Sequence, residues 1–178
     1  SFVAGGGYIG IVDGRTKEAV ALFRVTQTSA ASGGGRSNHM SFWSTDGSAL
    51  YIANLHGRIL ERIDITRDAD GNITNANFNA SASLNVGKTN GILDEATAFT
   101  GTNAQGNALV STISGDYATA DLGLLTPNGF CREDGCGAGP DDGRPTNVIV
   151  CPIVSENGNV YITMGGGGLL VADGLSTP

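Results

Sequence analysis

The chain has 178 residues, of which 40% are hydrophobic and only 15% charged, with 28 glycines and a formal net charge of -7. That length suits one domain with its own core, and the low charge with abundant glycine favours many short strands joined by tight turns, an all-β class. The acidic balance and the scattering of the ten basic residues argue against a nucleic-acid partner, whose phosphates need clustered Lys and Arg. No apolar run approaches the roughly eighteen residues of a membrane helix. Residue 1 opens directly into a strand-like phrase, so any targeting segment is expected to have been removed or to lie outside these residues.

The first phrase, Phe2-Val-Ala-Gly-Gly-Gly-Tyr-Ile-Gly-Ile-Val-Asp13, is a Gly-rich strand followed by a turn at Asp13-Gly14 and a returning strand over Glu18 to Thr26. The same phrase recurs as Ile162-Thr-Met-Gly-Gly-Gly-Gly-Leu-Leu-Val-Ala-Asp173, so the chain is built on a repeat. A second unit, after the linker Thr28 to Ser37, alternates strands and turns most clearly. Its strands are His39 to Ser44, Ala49 to Asn54, Arg58 to Ile65 and one near Ala80 to Val86, reached through the loop Asp68-Ala-Asp70-Gly-Asn72. A third unit takes Ala96 to Thr100, Asn107 to Ile113 and Tyr117 to Leu125. Residues 127-145 form a long Gly, Pro and Asp loop, and the fourth unit follows from Asn147. Asp13, Asp64, Asp121 and Asp173 mark the repeat at intervals of about 51, 57 and 52 residues, the size of one four-stranded propeller blade. Their shared position predicts a structural turn role, accepting backbone N–H groups in each hairpin.

These units predict a single partial β-propeller domain over 1-178, about three blades of four-stranded antiparallel sheet within a larger six- to eight-bladed ring. A small twisted sheet leaves its faces to be covered by neighbours. The chain begins and ends in mid-blade, which predicts that the remaining blades come from the same polypeptide or from further copies.

Cys131 and Cys136 lie in a short polar loop with four intervening residues, one of them Gly135, and a disulfide is expected there. A zinc site lacks its remaining ligands. Cys151 sits in an apolar strand and reads as a buried thiol. The sequons at Asn72 and Asn79 are glycosylation candidates and, with the disulfide, point to a secreted or extracytoplasmic protein.

His39 is a candidate metal ligand or base; its structural alternative is a hydrogen bond to the neighbouring blade that holds the turn at Asp46. His56 reads as a solvated turn residue. Asp68, Asp70 and Asn72 have the alternating oxygens of a calcium loop, yet an EF-hand would need Glu where Asn79 stands, and a polar hairpin turn explains them as well. The Gly5-Gly-Gly7 and Gly165 to Gly168 runs lack the helix and the Lys of phosphate loops, and a bulge or tight turn explains both. No Ser with a partnered His and no carboxylate pair emerges to support hydrolysis.

The phrase His39-Met-Ser-Phe-Trp-Ser-Thr-Asp-Gly-Ser-Ala-Leu-Tyr-Ile-Ala-Asn54, followed by a strand ending Arg62-Ile-Asp64, resembles the repeat of the YVTN family of β-propellers. Thr45 stands where that repeat commonly has Pro, and residues 88 to 145 match it poorly. The resemblance implies a propeller, within a group whose functions vary and which is related to lactonase-like propellers. Three functions follow as expectations. The first is a non-catalytic extracytoplasmic binding or structural scaffold with protein partners, its surfaces the blade edges and the loop around Cys131. The second is a lactonase-type hydrolase with a divalent cation such as calcium in the channel, held partly by His39, Asn54 or Asn90. The third is a structural protein that self-assembles through open blade edges.

Overall fold

The computed structural model describes residues 2–29, 35–85, 91–117, 149–165 and 169–173. Among them the chain is all-β: strands in several sheets, none closed on itself, and one 3-10 turn. The first sheet holds β1 (Phe2–Gly5), β2 (Tyr8–Val12) and β3 (Ala19–Arg24) in antiparallel order. β1 and β2 are joined at Gly6 and Gly7, whose φ values of 56° and 87° lie in the left-handed region open to glycine. The Gly5 to Gly7 run is thus a tight turn between adjacent strands. A short ribbon strand, β4 (Gln27–Thr28), follows.

The second sheet comes from the second unit, as β5 (Asn38–Trp43), β6 (Ala49–Asn54), β7 (Ile59–Arg67) and β8 (Ile73–Asn79). Its fourth strand was expected at Ala80 to Val86 and instead ends at Asn79. There the Asn79 side chain accepts the Ala82 N–H and caps a 3-10 turn over Ala80–Ala82. The chain then folds back as β9 (Leu84–Asn85) onto the start of β7.

The expected third unit does not build a sheet of its own among the described residues. β10 (Ile92–Asp94) pairs with β4, and β11 (Thr97–Ala98) adds to β3 as the outer strand of the first sheet. β12 (Ser111–Ser114) adds to β8 in parallel, with Ser111 opposite Ala76 and Ile113 opposite Phe78. Residues 92–114 therefore serve both earlier sheets. The third sheet consists of β13 (Ile149–Val154), β14 (Asn159–Met164) and β15 (Leu169–Asp173). The duplicated phrase falls on the antiparallel strands β1 and β2 in the first sheet and on β14 and β15 in the third.

The second sheet lies between the other two. All six residues of β6 are buried, and their alternation decides which sheet each one meets. Leu50 and Ile52 join Ile9, Ile11, Phe23, Ile63 and Phe78 in a core against the first sheet. Ala49, Tyr51 and Ala53 join Leu60, Ile149, Val160 and Ile162 in a core against the third. Each large apolar side chain fully buried in these seams contributes about 1.5–3 kcal/mol. The outward face of the third sheet is different. Ile153, Leu169 and Val171 are each about half exposed, at 49%, 56% and 50%.

Candidate functional site

β7 reads Ile59-Leu-Glu-Arg-Ile-Asp-Ile65, and period-two alternation places Glu61 on the face of Ile63 and Ile65, turned to the first sheet. Glu61 is fully buried in that seam. Its Oε1 accepts the Thr26 backbone N–H at 2.9 Å and an amide hydrogen of Asn54 at 3.2 Å. Its Oε2 is buried with no hydrogen-bond partner among the described residues. Burial raises the carboxyl to about 7, against the opposing pull of the Thr26 and Asn54 hydrogen bonds and the positive charge of Arg36.

Asn54, the last residue of β6, organises the same cluster. Its Nδ2 also donates to the Thr26 carbonyl at 2.7 Å, and its Oδ1 accepts the N–H groups of Ser37 at 3.0 Å and Gly57 at 3.1 Å. The turn Leu55 to Arg58 is fixed to Asn54 so closely that a Cβ on Gly57 would stand 2.3 Å from Asn54 Nδ2. Gly57→Ala is accordingly expected to cost about 1–3 kcal/mol through overpacking, read as a lower urea midpoint. The Thr26 hydroxyl hydrogen-bonds the Tyr117 hydroxyl, which accepts the Ala96 N–H at 3.2 Å. Burial pushes the Tyr117 phenol up, and the neighbouring Glu61 adds to that. Arg36 closes the rim, donating to the Val25 carbonyl and to Asp94, each at 2.7 Å; Arg24 reaches Asp94 at 3.0 Å. The cluster is a polar joint between two sheets, built from a carboxyl, an amide, two hydroxyls and an arginine. Its signal in the sequence was a glutamate inside the apolar stripe of β7.

Of the candidate metal ligands, Asp68, Asp70 and Asn72 share the turn between β7 and β8, while His39 stands on β5. His39 lies on β5, and its Nδ1 is 3.1 Å from the Val150 carbonyl of the third sheet. The turn at Asp46 is held instead by Ser44 and Ser48, whose hydroxyls and one N–H surround the carboxylate and lower it to about 2. Asp68 is occupied by its own turn, accepting the N–H groups of Asp70 and Asn72 and the Asn72 amide. The carbonyl of Asp70 and the side chain of Asn72 receive Arg15. Among the described residues no three His, Cys, Asp or Glu side chains gather as metal ligands do. Asn54, named with His39 for a channel cation, is buried with its polar atoms committed to the joint, while Asn90 lies outside the described residues.

The repeated aspartates do not all do the same thing. Asp13 accepts the Arg15 N–H at 2.7 Å. Asp64 lies within β7 and takes the side chains of Arg62 at 2.6 Å and Asn79 at 2.7 Å. Asp173 ends β15, and Asp121 lies outside the described residues, as do Cys131, Cys136 and the loop 127-145. Asn79 is half-buried with its amide engaged by Asp64; Asn72 is exposed with its amide on Asp68. Cys151 is half-buried in β13, its sulfur against that of Met40. His56 is half-buried in the β6–β7 turn, where its Nδ1 is enclosed with no partner among the described residues.

A groove of about 370 Å³ opens at the far end of the first seam, lined by Asp13, Arg15, Trp43, Arg67 and Ile73 among others. Both arginines are engaged there, Arg15 with Asp13 and Arg67 with the Gly71 carbonyl. Comparison of the chain with protein-family models, with curated proteins and with solved structures finds no match.

Proposed function

We propose that the three sheets are successive blades of a YVTN-like β-propeller and that the chain is a non-catalytic extracytoplasmic scaffold for binding or structure. The observation that carries this reading is the fully buried strand β6, in which Leu50 and Ile52 belong to a core on one side and Ala49, Tyr51 and Ala53 to a second core on the other. A strand covered on both faces by neighbouring sheets is what radial stacking of blades requires. The half-exposed Ile153, Leu169 and Val171 support a further blade on the third sheet. That ring is completed by more of the same polypeptide or by further copies, and protein partners dock at its edges and loops. The joint at Glu61 and Asn54 is then an inter-blade brace. No group in it is placed to attack a substrate, and its polar atoms face inward.

Native mass spectrometry and negative-stain microscopy of the purified protein test this reading. A disc with a central channel, complete as a longer chain or a closed oligomer, is the expected particle. A stable monomer of the mass of this chain alone, with no channel, would overturn the propeller, and turnover abolished by His39→Ala would overturn the scaffold.

A further inference from the structure

We infer that Glu61 is a proton-gated latch on the seam between the first and second sheets, closed when its carboxyl is neutral and loosened at Thr26 and Tyr117 when it ionises. The geometry sets this up. A carboxylate taken fully out of water needs donors on both oxygens; here the Thr26 N–H and the Asn54 amide both fall on Oε1, and the Thr26 hydroxyl beside it also favours the charged form without offsetting burial. Oε2 is enclosed and has none among the described residues.

The charged groups around it cannot make up the difference in place. Arg36, on the segment before β5, is the cation whose field reaches Glu61, and it is already divided between the Val25 carbonyl and Asp94. Asp94 on β10 is further neutralised by Arg24 of β3. Glu95, beyond β10, and Glu61 itself both act on the Tyr117 hydroxyl, and both disfavour negative charge there. On β7, Arg62 and Asp64 pair with each other and by alternation point away from Glu61. Ionisation therefore leaves a buried negative charge whose Oε2 no donor among the described residues reaches, so water must come in to solvate it. The groups that must move to admit water are those against it: the Thr26 backbone, the Thr26 to Tyr117 hydroxyl bond and, through it, Ala96.

The sign follows from proton linkage. The folded Glu61 carboxyl sits near 7 and the free one at 4.5, so between those values the folded state holds the extra proton. Its contribution is complete below about pH 4.5 and is lost as pH rises through about 7. Asp13 and Asp46, both lowered to about 2, act oppositely, and their contribution is lost as pH falls from 3.8 toward 2. Together the three groups place maximum stability near pH 4 to 5.

The test is urea unfolding of the full chain at pH 5 and pH 8, followed by the fluorescence of Trp43, the single tryptophan, for the parent and for Glu61→Gln. The parent is expected to lose on the order of a hundredfold in its folding equilibrium constant between the two pH values, with lower amide protection at Thr26 and Ala96 at pH 8. Glu61→Gln is expected to stay within about threefold. A parent unaffected by pH, or a variant with the parent's full dependence, overturns the latch. Should Glu61→Gln not fold, carbon-detected NMR of glutamate carboxyls in the parent decides: a carboxyl titrating above pH 6 supports the latch, and all of them titrating below pH 5 overturns it.

Discussion

Asn54→Ala is expected to lower the stability of the fold by about 3–5 kcal/mol, because one side chain serves four partners in a place water does not reach. Asn54 is 0% exposed. Removing it orphans the Gly57 and Ser37 N–H groups and the Thr26 carbonyl and takes one of two donors from Glu61. Each buried group left unpaired costs about 1–3 kcal/mol, and partial access of water at half-buried Ser37 keeps the total below the full sum. Asn54→Asp separates the two halves of the role. Its oxygens still accept from Ser37 and Gly57, but it offers no donor to Thr26 or Glu61 and sets a second carboxyl against the first. The expected result is a variant whose stability falls more steeply with pH than the parent's. Denaturation in urea at pH 5 and pH 8 measures both effects; an Asn54→Ala loss below about 1 kcal/mol would show that Asn54 does not organise the joint.

Phe78→Ala is expected to cost about 3–5 kcal/mol as well, by a different physics. Phe78 is 0% exposed on β8, and its ring lies 6.0 Å from Phe23 of the first sheet and 6.5 Å from Tyr117. Truncation removes the ring's transfer free energy and leaves a cavity that two rigid sheets cannot close. Phe78→Leu refills most of the volume and is expected to recover more than half of the loss. Because the cavity opens in the first seam, the slope of unfolding with denaturant should remain that of the parent, with the midpoint shifted. Equal stability of Phe78→Ala and the parent would mean that the first and second sheets do not share a core.

Much of this arrangement was legible wherever the code is local. Strand alternation and the turns at Asp46-Gly47 and His56-Gly57 marked β5, β6 and β7 to within a residue or two, whereas the duplicated phrase read as one Gly-rich strand where the chain makes the paired strands β1 and β2. What escaped was non-local. The pattern Ile73-Thr-Asn-Ala-Asn-Phe-Asn79 buries only Ala76 and Phe78, so its asparagines hid the fourth strand of the second sheet. Strand-like residues at 97–98 and 111–114 were visible, but a strand does not carry the identity of its partner. Pairing with β3 and with β8 depends on which edges remain open once the hairpins have formed. Glu61 was missed because a charged residue is read as solvated by default, and only its register with Ile63 and Ile65 reveals that it points inward. His39 drew attention as a ligand on chemistry alone, while its place on β5 gives it a carbonyl of the third sheet.

The parallel strand β12 makes one piece of the first two sheets. Residue 110 touches two sheets at once, its N–H on Val20 and its carbonyl on Ala76, and Ser111 accepts the Leu22 N–H. The first and second sheets are sewn together by thread drawn from later in the chain, so neither can be removed without leaving buried backbone groups of that thread unpaired.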